Sequence, residues 1–144
     1  MDLMPDDIRA RLLANSAADP RTAIRGETDH VPVVKFFDPS GAATWLVTEM
    51  MPEDHDFLFG LCDLGMGCAE LGYVSLAELQ SVKGRLGLGI ERDLSFIARF
   101  PLSFYAEAAR IAGRITESER LLADAAAALG KHFPPNSELP PDGG

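Results

Sequence analysis

The sequence predicts an α+β fold: a small antiparallel β-meander of about five strands, with helices packed at both ends of the chain. Three observations predict it. The chain has 144 residues and 15.5 kDa, the size of one domain, with 47% hydrophobic and 24% charged residues, the ordinary balance of a globular protein. Four β-branched or aromatic runs follow one another between residues 31 and 74, separated only by short polar or glycine-bearing segments, so neighbouring strands pair in succession. Helical periodicity with capping signals appears before the first of these runs and after the last.

Taken in order, Pro5-Asp6-Asp7 opens a helix, its acids meeting the positive end of the dipole. Met4, Ile8, Leu12 and Leu13 put one stripe of that helix against a core, and the helix ends before Asp19-Pro20. Residues 19–30 are polar and read as a connection that exposes Arg21 and Arg25. Val31–Phe37 is a strand whose early Pro32 fits a sheet edge or a strand start. Asp38-Pro39-Ser40-Gly41 supplies turn chemistry, and Ala43–Met50 completes a hairpin. Pro52–Asp56 connects to a third strand, Phe57–Asp63. Gly65 and Gly67 loosen the backbone before a fourth strand around Leu71–Val74. Ser75-Leu76-Ala77-Glu78 is a capping box for a helix that Gly84 stops. Residues 91–97 read as a further strand, and Pro101 suits the first turn of a helix running to Gly113. A second capping box, Thr116-Glu117-Ser118-Glu119, opens a helix with Leu121, Leu122, Ala125 and Leu129 on one side. The order is α-β-β-β-β-α-β-α-α. Residues 1–130 form a single domain, and the proline-rich residues 131–144 form a mobile tail.

Charge is unevenly placed. There are 22 acids and 13 bases, a formal net charge of -9. No Lys or Arg occurs between Lys35 and Lys83, a span that holds Asp38, Glu49, Glu53, Asp54, Asp56, Asp63, Glu70 and Glu78. Phosphate-backbone binding needs gathered Lys and Arg, so direct nucleic-acid binding is disfavoured. Such a surface attracts cations or basic proteins instead, while simple solubility is the bland explanation. No apolar run approaches the ~20 residues of a membrane-spanning helix. The acidic start, Met-Asp-Leu-Met-Pro-Asp-Asp, is unlike a secretory or mitochondrial signal, so a cytoplasmic location is expected.

The run F-L-F-G-L-C-D-L-G-M-G-C-A-E-L-G-Y-V-S-L-A-E-L at 57–79 resembles the bacterial family called domain of unknown function 2958. P-V-V-K-F-F at 32–37, A-T-W-L-V-T-E at 43–49, P-E-D-H-D at 52–56, G-R-L-G-L-G-I-E-R-D-L-S-F at 84–96 and P-L-S-F-Y at 101–105 extend the resemblance over residues 4–115. Ala69 departs from it, standing where the resemblance leads one to expect proline. The resemblance implies a bacterial protein often carried on plasmids and conjugative elements, a setting in which an accessory or counter-defence role is natural.

Candidate chemistry is sparse. Glu49, Asp54, His55 and Asp63 lie around strand connections, and hard cations need such converging oxygens, with His55 admitting zinc or manganese. Their spacing matches no calcium loop or two-histidine zinc helix, and acidic turns are usually only solvated. Asp63 and Glu70 flank the Gly65-Met66-Gly67 loop and offer a carboxylate pair for acid–base work, but turn capping explains them equally. Cys62 reads as a small buried hydrophobe and Cys68 as more exposed; neither has a basic neighbour to lower its pKa. His30, His55 and His132 are scattered and make no triad. Trp45, Phe57, Phe59, Tyr73, Phe96, Phe104 and Tyr105 read as core, and Arg85, Arg92, Arg99, Arg110 and Arg114 as surface ion-pair partners.

The reading that follows is an interaction protein without a cofactor. Its patch of Glu49, Glu53, Asp54, Asp56, Asp63 and Glu70 contacts a basic surface of a nucleic-acid-handling protein, with no membrane and no direct nucleic-acid contact. The alternatives are a metal-assisted hydrolase using Glu49, Asp54, His55 and Asp63, and a scaffold or regulator of a plasmid-encoded partner.

Overall fold

The computed structural model describes residues 1–18, 29–84 and 86–131. Residues 19–28 of the expected connection at 19–30, with Arg21 and Arg25, and residues 132–144 of the expected tail at 131–144, with His132, lie outside the described residues, as does Arg85. The elements run α1 (Asp6–Ala18), β1 (Val34–Phe37), β2 (Thr44–Met50), β3 (Phe57–Asp63), β4 (Glu70–Ser75), α2 (Leu76–Ser81), β5 (Glu91–Arg92), α3 (Leu102–Ala112) and α4 (Glu119–Ala128). Their order is the expected one, and the fold is α+β. All strand pairings are antiparallel, in the order β4-β3-β2-β1-β5, so a four-strand meander is extended by β5 returning to the outer side of β1.

The sheet separates two cores. On one face Leu3, Met4, Ile8 and Leu12 of the chain start and α1, with Leu76 and Leu79 of α2, pack on Val34, Phe36, Trp45, Val47, Met50 and Leu58. On the other, the α3–α4 hairpin packs Phe104, Tyr105, Ala108, Leu122 and Ala125 on Leu46 and Leu61. Small alanines at the helix contact let the two helix backbones approach, and the large residues fill the space beneath them. Buried on both faces, β2 shows almost continuous burial instead of alternation.

A β-bulge between Val47 and Glu49 inserts Thr48 as an extra residue. It resets the alternation, so Met50 joins Val47 on the α1 side while Glu49, opposite Phe59, turns toward the α3–α4 side. Thr48 Oγ1 donates to the Phe59 carbonyl at 3.3 Å, and Asn15 Nδ2 donates to the Thr48 carbonyl at 2.9 Å. Gly60 lies opposite Val47, where a Cβ would come within 2.0 Å of the Leu46 carbonyl oxygen.

Several boundaries differ from expectation for local reasons. Pro32 precedes β1, which is internal to the sheet, so its role is that of a strand start. β5 stops at Arg92 rather than at residue 97, because Asp93 Oδ1 accepts from the Ser95 N–H and hydroxyl and folds the chain into a turn. α2 ends at Ser81 with Val82 as its C-cap, not at Gly84. Gly84 instead packs closely against the Asp38–Gly41 turn, where a Cβ would lie 2.1 Å from Ser40 Oγ and the serine side chain would have to move aside. α4 begins at Ser118, whose hydroxyl accepts from the Leu121 N–H at 3.3 Å, two residues beyond the expected cap at Thr116. Gly113 does end α3, in the left-handed conformation at φ 82°.

Candidate functional site

The six acids of the expected patch divide among three environments. Glu53 and Asp54 are exposed in the β2–β3 connection, where Asp54 Oδ1 accepts from the Asp56 N–H at 3.0 Å. Glu70 is exposed at the start of β4, in register with Cys62 and hence near the opposite end of β3. These acids therefore bracket the β3–β4 ribbon from two ends and do not meet at one.

Asp56 serves the fold. It accepts from the Ser75 hydroxyl at 2.6 Å and the Ala77 N–H at 2.8 Å, while its own carbonyl accepts from the Leu76 N–H at 2.8 Å. Ser75 in turn accepts from the Glu78 N–H at 3.2 Å. The first turn of α2 is thus capped by a carboxylate nineteen residues away as well as by its own serine. The Ser75 hydroxyl, and then the Ala77 amide, hold the Asp56 carboxyl below its ordinary range.

Glu49 and Asp63 are each only 2% exposed, which corrects their assignment to an exposed patch. Asp63 receives the Gly65 N–H on Oδ1 at 2.8 Å and the Ile115 N–H on Oδ2 at 2.9 Å, joining the end of β3 to the α3–α4 connection. Glu49 is aimed inward by the bulge, and among the described residues its Oε1 has no hydrogen-bond partner. Burial pushes its carboxyl above the usual range, and the attraction of His30 opposes this in part. His30 Nε2 is likewise buried without a partner among the described residues.

The metal-ligand set of Glu49, Asp54, His55 and Asp63 is not brought together. Asp54 and His55 are exposed at one end of β3, Asp63 is buried at the other, and Glu49 lies within the sheet. Among the described residues no group of three His, Cys, Asp or Glu side chains is placed to hold a metal ion. A cleft of about 400 Å³ beside α1 is lined by residues including Arg11, Asn15, Val33 and Ile97, and no acid of the described residues lines it. Cys62 is half-buried with its thiol pushed up, first by burial and then by Glu70; Cys68 is exposed.

The sequence reading missed two things. Asp29 caps α3 from a distance, taking the Ser103 N–H at 2.9 Å and the Ser103 hydroxyl, while the His30 carbonyl accepts from the Leu102 N–H at 2.9 Å. No local signal marks this, because the partners are 74 residues apart. Two of the aromatics assigned to the core are also half exposed: Phe57 at 47% and Tyr73 at 55%, with Leu71 beside them at 52%. In register, Phe57, Phe59 and Leu61 oppose Ser75, Tyr73 and Leu71, all on the α3–α4 side of the sheet. The helical hairpin reaches Leu61 and leaves the outer part of this strip open. Of the arginines expected in surface ion pairs, Arg110 meets Glu107 one turn earlier on α3. Lys35 joins distant segments, lying 2.6 Å from Glu117 and 3.6 Å from Asp93. Among the described residues no helix is long and apolar enough to cross a membrane.

The model of one family, described as protein of unknown function (DUF2958), matches residues 3–116, and the chain belongs to that family. No curated protein and no solved structure matches the chain.

Proposed function

We propose that this member of the family is a protein-binding module that takes a basic partner on the half of the molecule built from residues 36–82. The observation that carries the reading is the set of exposed acids Glu53, Asp54, Glu70 and Glu78 in a span without a single Lys or Arg. Exposed carboxylates at both ends of the β3–β4 ribbon each attract a cationic group over about 10 Å, the Debye length at 0.1 M salt, and together they steer a cationic surface toward this half. In the plasmid and conjugative-element setting that the family resemblance implies, the partner is a cytoplasmic nucleic-acid-handling protein of a host defence complex. The acids then stand where phosphates would sit, and the role is counter-defence.

Affinity capture from bacterial lysate at about 50 mM and about 500 mM salt tests this, because ionic contacts between exposed groups weaken as the Debye length contracts. The parent protein retains a basic partner only at low salt. The variant carrying Glu53→Gln, Asp54→Asn, Glu70→Gln and Glu78→Gln loses it while keeping its thermal unfolding midpoint within a few degrees. Failure to retain any salt-sensitive basic partner sinks the proposal.

A further inference from the structure

β4 is the terminal strand of the sheet, and among the described residues no strand pairs with its outer side. Its six residues, Glu-Leu-Gly-Tyr-Val-Ser, pair with β3 in unbroken register and contain no bulge, proline or lysine. Those are the devices by which proteins blunt an open edge. At the opposite end of the sheet the edge is blunted by brevity, since β5 has two residues. Along β4 the exposed Leu71 and Tyr73 stand on the side that α3 and α4 leave open, next to Phe57 on β3, and the Tyr73 ring packs at 5.2 Å from Phe59. A strand of six residues spans about 17 Å at ~3.3 Å per residue. Glu70 stands at one end of that span; Glu53, Asp54 and Glu78 cluster toward the other, where Asp56 joins the β2–β3 connection to α2.

We propose that β4 is a docking edge on which an extended segment of the basic partner adds as a sixth strand, with alternate apolar side chains over Leu71 and Tyr73 and a Lys or Arg near each end. The inference rests on the basic-partner reading and gives it a geometry. Main-chain hydrogen bonds to β4 supply register, the apolar strip supplies contact area, and the acids at the two ends select the charge of the segment. A second copy of this chain fits the same edge poorly. Antiparallel pairing of two β4 strands would bring Glu70 of each molecule toward the Glu78 end of the other, and each molecule carries a net charge of -9.

The probe is a synthetic peptide, Lys-Lys-Thr-Val-Thr-Val-Thr-Lys-Lys, with a control in which the central Thr and the Val after it are both replaced by Pro, so that a ladder N–H is lost whichever alternate set faces β4. Fluorescence anisotropy measures binding to the full chain, and amide hydrogen exchange reads protection at residues 70–75. The parent peptide binds and slows exchange along β4, and the proline peptide binds at least about tenfold more weakly, because proline cannot complete the ladder. A protein carrying Leu71→Lys and Tyr73→Lys, whose replaced side chains are exposed and whose folding is checked by thermal unfolding, also loses at least tenfold. Equal binding of the two peptides, unchanged exchange at β4, or no binding overturns the docking edge. So does dimerisation in light scattering with β4 already protected, which makes a second copy the occupant. Salt-sensitive capture from lysate would survive any of these results, so the edge can fail without the basic-partner reading failing.

Discussion

Replacing Asp63 with alanine separates a carboxylate that holds the fold from one that meets a partner. Both oxygens are in use: Oδ1 takes the Gly65 amide at 2.8 Å and Oδ2 the Ile115 amide at 2.9 Å, at a position 2% exposed. Hydrogen bonds to a charged acceptor are worth about 1.5–3 kcal/mol each, and their loss leaves two amides without acceptors. The carboxylate's own desolvation cost disappears with it, so the net loss falls toward the lower part of the sum, about 3–5 kcal/mol. For a chain of this size that lowers the unfolding midpoint by about 10–20 °C. Asp63→Asn keeps one acceptor oxygen and turns an NH₂ toward the other amide, so it loses roughly half as much or more. Thermal and urea unfolding followed by circular dichroism measure the difference. Glu70→Ala, at an exposed position, stays within about 0.5 kcal/mol of the parent. An Asp63→Ala protein within 1 kcal/mol of the parent would refute the view that this acid ties β3 to the α3–α4 connection.

Two further perturbations probe the bulge. Gly60→Ala puts a Cβ 2.0 Å from the Leu46 carbonyl and 2.8 Å from Val47 Cα, backbone atoms of the central strand with little room to shift. It costs about 3 kcal/mol, and a urea midpoint equal to the parent's would show that the two strands separate freely there. Glu49→Gln tests the buried carboxyl, whose folded pKa lies above its ordinary 4.5. An acid that holds its proton more tightly when folded contributes most below the unfolded pKa, and that contribution is lost as pH rises through the folded value. The glutamine protein therefore gains on the parent from about pH 4 upward and levels off once the folded carboxyl has ionised. Urea midpoints whose difference does not change with pH would contradict this.

Element order and type were legible in the sequence because their causes are local. The alternation of Val31–Phe37 and Ala43–Met50, the turn at Asp38–Gly41, the cap at Ser75 and the left-handed Gly113 each depend on residues a few positions apart. Boundaries failed where a local side chain outbid the pattern: the Asp93 turn cut short the run at 91–97, and Ser118 displaced Thr116 as the cap of α4. The candidate site was legible only in part. Counting acids along residues 36–82 identified the sign of the surface and its exposed members Glu53, Asp54 and Glu70, because charge is a property of residues.

Which acids reach solvent is a property of the packed molecule. Asp63 was drawn inward by an amide 52 residues away, and Asp56 was engaged by a helix start 19 residues away. Glu49 was turned from one face to the other by a single inserted residue, which reverses every side chain beyond it. Phe57 and Tyr73 carry the same apolar signal as Trp45, yet they stay half exposed because the α3–α4 hairpin packs on Leu61 and part of Phe59 and leaves the outer strip uncovered. By itself the sequence determined the α+β meander, the helices that flank it and the negative half of the molecule. Only the tertiary structure decided which carboxylates face outward and which strand edge is left open, since both depend on what distant segments cover.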